Sequence, residues 1–200
     1  MSGRGRPREF DRQEALRSAM LVFWDRGYDG SSLHTLISAM HIRSPSLYAA
    51  FGSKEALFLE ALELYWDTIG ETIWSELYRH STAREGIERM LWATARLLTE
   101  PGRPHGCFVC HTEPRLDSPV LSREVKALRR KPVEMLRNRL LMAQTTRELT
   151  SELDCNAMSD YFAAVQRGMT LIARDGVSRE QLERVAALAM VNWLPMTKAH

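Results

Sequence analysis

The chain has 200 residues, 44% of them hydrophobic and 26% charged, with a net charge of +2. This is the composition of a globular protein large enough for a small head on a bigger body, and it excludes a fibrous or disordered chain. The longest unbroken apolar run, residues 185–191, is far shorter than the roughly 20 residues of a membrane-spanning helix, and no signal-type apolar segment follows the N-terminal arginines, so a cytoplasmic protein without a membrane partner is expected.

The charge is unevenly placed. Residues 1–54 carry eight Lys/Arg against five Asp/Glu, and the remainder carries 19 against 20. The basic excess therefore sits at the N-terminus, where Arg4, Arg6 and Arg8 lie on a Gly/Pro backbone. Such an arm can clamp phosphates or enter a minor groove. Asp11 with Glu14 fits a capping box, and Ala15, Leu16, Ala19, Met20 and Phe23 follow at helical spacing until Gly27.

Residues 31–54 hold no acidic side chain. Leu33, Leu36, Ile37 and Met40 predict a short helix with one buried stripe. After His41, Ile42 and Arg43 a second helix is expected, with Ser44 as its N-cap, Pro45 in the first helical position, Ser46 and Tyr48 facing out, and Leu47 and Phe51 facing in. Two short helices joined by a tight turn make a helix-turn-helix, whose second helix can lie in the major groove. Arg43 is the one residue of this stretch able to read guanine through two hydrogen bonds.

Gly52 and Ser53 end that helix and cap a longer one carrying Leu57, Phe58, Ala61, Leu62, Tyr65, Ile69 and Ile73 to about residue 78. A helix over about 83–99 follows, with Ile87, Met90, Leu91, Thr94 and Leu98 on one side, and a Pro/Gly break at 101–104 ends it. A short segment over 107–113 precedes a helix over about 120–143, in which Pro132 should produce a kink or break. The last two helices are expected over about 156–174 and 179–194, the second opened by a capping box of Ser178 and Gln181. No strand pattern is present, so the fold class is all-α with about nine helices. The expected domains are 1–54, a DNA-binding head with its basic arm, and 55–200, a helical body.

The pattern from Asp11 through Gly27, Tyr28, Gly30, Ser31 and Ser32 to Leu47, Tyr48, Phe51, Ser53, Lys54, Glu55 and Leu57 resembles the DNA-binding signature of the TetR family of bacterial transcription regulators. Two features depart from it: His41 stands where the family often has Gly, and Ala49–Ala50 replace a usually aromatic or His-containing pair. The resemblance implies a repressor that binds a near-palindromic double-stranded operator as a homodimer and is released by a small-molecule effector. It implies base contacts by Ser44, Pro45 and Ser46, phosphate contacts by Tyr48 and Lys54, and backbone or base contacts by Ser32 and His34, to which Arg4, Arg6 and Arg43 add their charge.

An effector site in the body would draw on Trp66, Ile69, Ile73, Met90, Thr94, Cys107, Phe108, Cys110, His111, Phe162, Gln166 and Met169. Pairing of two copies through the last two helices would use Met158, Tyr161, Val165, Ile172, Ala186 and Ala189. The apolar face of the penultimate helix and the small residues of the last one suit such close packing.

Cys107, Cys110 and His111 match the spacing of a c-type haem attachment site, but without an export signal that reading is set aside and no cofactor is expected. On a helix the three would share one face. An alternative to the effector reading is therefore a thiol-redox, electrophile or metal sensor built on them, although three ligands fall short of the four usual in structural zinc sites. No nucleophile–base pair, phosphate loop or spaced carboxylate pair is present, so an enzyme is not expected.

Overall fold

The computed structural model describes residues 10–112, 118–193 and 197, and among them the regular structure is entirely helical. The chain divides into two compact units, Met1–Leu64 and Tyr65–His200. The arm with Arg4, Arg6 and Arg8 lies outside the described residues.

The first unit contains α1 (Arg12–Arg26), α2 (Leu33–Ala39), α3 (Ser44–Phe51) and most of α4 (Lys54–Tyr65). Asp11 caps α1 by accepting from the N–H groups of Gln13 and Glu14. Ser32 caps α2 through Thr35 N–H, and Ser53 accepts from Ala56 N–H at the start of α4. Each cap satisfies donors that a helix start leaves orphaned. Phe23, Leu36, Leu47, Leu57, Phe58 and Ala61 are fully buried, and Phe58 meets Phe23 and Tyr28 edge-on at 5.0 Å each. Trp24, which the spacing of the first stripe omitted, is buried as well. Leu33 departs from the expected stripe: at 37% exposure it lies outside the core, leaving Leu36 and Met40 as the buried anchors of α2. Arg12 ties the first helix to the others: its guanidinium donates to the Ala50 carbonyl, pairs with Glu60 at 2.7 Å and lies 4.4 Å over the Phe51 ring.

The second unit begins at the end of α4, which continues into a π-helical turn, Trp66–Gly70, then α5 (Glu71–Trp74) and α6 (Glu76–Arg79). The long helix expected to about residue 78 is thus one run with changes of pitch. Next come α7 (Ala83–Leu97), α8 (Phe108–His111), α9 (Pro119–Thr145), α10 (Cys155–Arg174) and α11 (Arg179–Val191). Counting 54–79 as one interrupted helix gives nine among the described residues. Helix α10 packs on α9, α7 and α11, and α7 packs on α6 and α11. The capping box of Ser178 and Gln181 is present. Pro132 does not break α9, which is assigned without interruption across it. The assigned last helix ends at Val191, three residues short of the expected 194, and Leu194 lies outside the described residues.

Two charged side chains pin the body. Arg139, buried on α9, donates to the Leu77 carbonyl at 2.8 Å and the Ser81 carbonyl at 3.2 Å, and faces Glu148 at 3.6 Å. Glu148 in turn accepts from the Ala83 N–H at 2.6 Å, so the α6–α7 turn is held from both sides.

Candidate functional site

The turn between α2 and α3 places His41 in the left-handed region at φ 54°, the conformation a glycine there would adopt freely. The expected cap is shifted by one residue. Arg43, not Ser44, occupies the N-cap of α3 and makes no side-chain cap bond, while its carbonyl accepts from Ser46 and Leu47 N–H. The reason is Pro45: it can occupy either of the first two helical positions because neither needs its N–H. Ser44 is therefore the first helical residue rather than the cap. Arg43, Ser44 and Pro45 are exposed, Ser46 is half-buried, and Tyr48 is 47% exposed. Ser32 and His34 are exposed on α2, although the Ser32 hydroxyl is shared with Thr35.

Lys54 is less free than a lone surface lysine. Its ammonium lies 4.2 Å over the Tyr28 ring, and partial burial lowers its pKa. Gly52, at φ 76°, turns the chain between α3 and α4. The result is that α2 and α3, which carry no acidic residue, present short polar groups, one guanidinium and one phenol, with Lys54 following at the start of α4 within the field of Asp29, on a framework held by the Phe23–Phe58 core. Such a face suits a polyanion with readable edges.

The second unit holds a cavity lined by Tyr65, Trp66, Gly70, Ile73, Trp74, Leu98, Cys107, Val109, Cys110, Leu128, Arg129, Pro132, Ala163, Gln166 and Arg167. Its volume, over the positions that the centre of a water molecule can take, is ≈ 30 Å³, against roughly 10–15 Å³ needed for one water. Of the expected residues, Trp66, Ile73, Cys107, Cys110 and Gln166 line it. Ile69, Met90, Thr94, Phe108, Phe162 and Met169 are instead buried away from it in the core, where helical apolar spacing mostly leads. His111 is also absent from the wall. Its Nε2 sits 3.2 Å from the Thr170 carbonyl, and burial followed by Arg174 lowers its pKa. Gly106 makes room for that ring, since a Cβ there would lie 2.3 Å from His111 Nε2.

Sequence spacing missed the contribution of α9. Leu128 and Pro132 are one helical turn apart on α9. Pro132 offers no N–H to the Leu128 carbonyl, and both residues face the cavity. Arg129 donates to the carbonyls of Val109, Cys110 and Thr112 and so fixes the chain around α8, while Arg167 donates to the Arg129 carbonyl. Lys131 lies 4.0 Å over the Trp66 ring.

The three side chains expected on one helical face do not converge. The helix at this point is only four residues long, with Cys107 at its N-cap, and His111 turns to Thr170. Among the described residues no group of three or more His, Cys, Asp or Glu side chains could hold a metal ion. The Cys107 and Cys110 thiols act on one another's ionisation, and the Tyr65 phenol acts on Cys107. That interaction pushes Cys107 upward, with burial adding to it. It pulls Cys110 down to about 7 against the effect of burial, helped by Thr170, Arg129 and Arg167.

The expected pairing residues of the last two helices divide by burial. Met158, Ala186 and Ala189 are buried inside the chain's own core and are not available on its surface, whereas Tyr161, Val165 and Ile172 are half-buried. The large apolar side chains that α10 and α11 leave in solvent are Leu171, Leu188 and Val191, at 53%, 67% and 69% exposure.

Residues 15–61 match the sequence model of the family described as bacterial regulatory proteins, tetR family. Over 198 residues the chain is 30% identical to the HTH-type transcriptional repressor ComR of Escherichia coli K12, covering 98% of this chain and 94% of that one. It is 29% identical over 185 residues to the HTH-type transcriptional repressor BdcR of the same organism, covering 92% and 90%. Among solved structures, a cysteine-substituted form of the TetR family transcriptional regulator CifR, complexed with 26-bp double-strand operator DNA, superposes with a TM-score of 0.89 at 38% identity, covering 94% of this chain and 98% of that one. With a helix-turn-helix in its first unit, an all-helical second unit and relatives matched over nearly their whole length, this chain belongs to the TetR family of bacterial transcriptional regulators.

Proposed function

We propose that the protein is a cytoplasmic, effector-responsive repressor that binds a near-palindromic operator as a homodimer. DNA binding resides in residues 1–54, and effector binding and pairing reside in 55–200. The observation that carries this reading is the acid-free exposed face of α2 and α3. Arg43, Ser44, Pro45 and Ser46 meet base edges at the start of α3. Tyr48, Lys54, Ser32 and His34 fix register on the phosphates, and Arg4 and Arg6 add a basic arm. The exposed surface of α10 and α11 around Leu171, Leu188 and Val191, with the half-buried Tyr161, Val165 and Ile172, pairs two copies, and that symmetry repeats the recognition helix one DNA turn away.

The effector occupies the cavity walled by Trp66, Ile73, Cys107, Cys110 and Gln166. Its narrowness means that a ligand larger than a few heavy atoms must displace side chains on entry. Occupancy acts on the run 54–79, which contributes Tyr65, Trp66, Gly70, Ile73 and Trp74 to the wall and leads back to α3, and it lowers DNA affinity by favouring one of two states of that run. The test is retardation of a DNA fragment from the protein's own promoter region by the purified protein, at two salt concentrations. Binding that weakens steeply with salt is expected. Failure to retard that fragment at low salt overturns the reading.

A further inference from the structure

The structure assigns a second chemistry to the cavity: we propose that Cys107 and Cys110 are a dithiol that a small peroxide converts to an intramolecular disulfide, and that this bond reshapes the cavity wall. The inference rests on the reading of that cavity as the regulatory site. Four observations carry it. The thiols are three residues apart, Cys107 at the N-cap and Cys110 in the first turn of α8, close enough to shift one another's titration in opposite directions. Both line the cavity, whose volume admits about two water-sized molecules and hence hydrogen peroxide. The third cysteine, Cys155, is buried at the start of α10 and is not part of the cavity wall. Cys107 itself, then Thr170, Arg129 and Arg167, which lie around Cys110 with Arg129 donating to its carbonyl, favour a thiolate at Cys110, the form that attacks peroxide.

The steps balance. The Cys110 thiolate attacks one oxygen of hydrogen peroxide; the O–O bond breaks, an S–O bond forms and hydroxide leaves, taking a proton to become water. The Cys107 sulfur then attacks the Cys110 sulfenic acid. The S–S bond forms, the S–O bond breaks, and the hydroxyl leaves with the Cys107 proton as a second water. Two thiols lose two electrons, and one peroxide is reduced to two waters.

Geometry links the bond to the wall. A disulfide holds its Cβ atoms at about 3.8 Å with a fixed dihedral, so closure must bring the extended N-cap Cys107 and the helical Cys110 into that one geometry, against the grip of Arg129 on the carbonyls of Val109, Cys110 and Thr112. Val109 lines the cavity between the two thiols, so the wall moves with them. A disulfide of this kind in a cytosolic protein serves as a transient sensor rather than a staple.

The experiment uses the full-length protein, reduced and freed of reductant, treated with hydrogen peroxide at neutral pH and then blocked with N-ethylmaleimide. Intact mass should show two fewer maleimide adducts than the reduced control, and peptide mapping should join Cys107 to Cys110. Cys155→Ser should oxidise as the parent does. Cys107→Ser should stop at a dimedone-trappable sulfenic acid on Cys110, and Cys110→Ser should react on the order of tenfold more slowly, since an ordinary thiol is only a few per cent ionised at neutral pH. Cumene hydroperoxide, too bulky for the cavity, should lag behind hydrogen peroxide.

Unchanged adduct number, or loss confined to Cys155 or to links between chains, overturns the proposal. With the promoter fragment as probe, oxidation should change DNA affinity at least fivefold, reversibly with dithiothreitol, and not in either Cys107→Ser or Cys110→Ser. A mapped disulfide that leaves affinity unchanged overturns its regulatory role. If the reduced protein binds no DNA, the operator reading has failed, and the thiol mapping alone decides the dithiol.

Discussion

Replacing Arg139 by Met should destabilise the body without touching the surface proposed to meet DNA. The guanidinium is 7% exposed, donates to two backbone carbonyls, and faces Glu148, whose other oxygen holds the Ala83 N–H. Methionine keeps much of the stem's volume but leaves the carbonyls of Leu77 and Ser81 without this donor and Glu148 without its counter-charge. Hydrogen bonds from a charged donor contribute about 1.5–3 kcal/mol, and breaking a buried ion pair from one side costs about 3–5 kcal/mol. Glu148 is partly exposed and the pair distance is 3.6 Å, which places the expected loss near the lower figure, about 3 kcal/mol. At roughly 2–4 °C per kcal/mol for a chain of this size, the thermal midpoint should fall by about 6–12 °C. Differential scanning calorimetry at one fixed protein concentration measures it, because pairing of chains would make the midpoint depend on concentration. Glu148→Gln, which keeps an acceptor for Ala83 N–H, should lose less, about 1 kcal/mol. A shift below about 2 °C for Arg139→Met would show that water replaces the arginine at little cost and that the α6–α7 turn is not held by this pair.

The remaining expectations address the proposed surfaces directly. Arg43→Ala should weaken operator binding by about 1–3 kcal/mol and relax base preference at one position per half-site, as read by retardation of single-base operator variants; a uniform loss across all variants would make Arg43 a phosphate ligand instead. Tyr48→Phe should lower affinity alike for all sequences, because a phosphate contact carries no base information; a change confined to one base position would refute that role. Leu188→Glu combined with Val191→Glu should give a monomer by sedimentation velocity, since two like charges would face their symmetry mates across a two-fold interface; an unchanged dimer would move the interface elsewhere. His111 has its pKa lowered by burial, so the unfolded chain binds its proton first as pH falls; the stability it contributes is full above about pH 6.5 and declines as pH drops below that value. His111→Gln should flatten that acid limb in urea titrations, and an unaltered limb would assign it to other groups.

Much of the head could be read from sequence because its signals are local. The Asp11 cap, the stripe of Ala15, Leu16, Ala19, Met20 and Phe23, the left-handed turn at His41 and the cap at Ser53 each depend on neighbours within a turn or two. The errors there were also local. Pro45 tolerates two helical positions, which moved the cap from Ser44 to Arg43, and amphipathic spacing alone could not show that Leu33 lies at the edge of the core. The bonds of Arg12 to Ala50 and Glu60 span 38 and 48 residues, and no period in the sequence encodes them.

The cavity was only half legible for a different reason. Periodicity tells which face of a helix is apolar, but not whether that face meets a neighbouring helix or an empty space. Met90, Phe162 and Met169 carry the same signal as Trp66 and Ile73, yet the first three fill the core while the last two line the cavity. What separates them is the set of elements that fail to close: a π-helical turn at 66–70, a four-residue α8 and a proline at the middle of α9. Each of these disturbs regular helix packing, and each contributes to the wall. A π turn inserts a residue without a matching place in the ridges of its neighbours; Pro132 removes a backbone donor beside Leu128; and α8 is too short to present a continuous ridge. The arginines follow from the same cause. Where α8 ends without a helix to continue into, its carbonyls need donors, and Arg129 supplies them while lending its charge to Cys110. The residue that repairs the broken helix is thus also one of those that tune the thiol, which is why Arg129→Met should both loosen the wall and raise the pH at which Cys110 reacts with iodoacetamide. A variant whose alkylation rate rises through the same neutral pH range as the parent's would separate the two roles and leave Arg129 with the structural one alone.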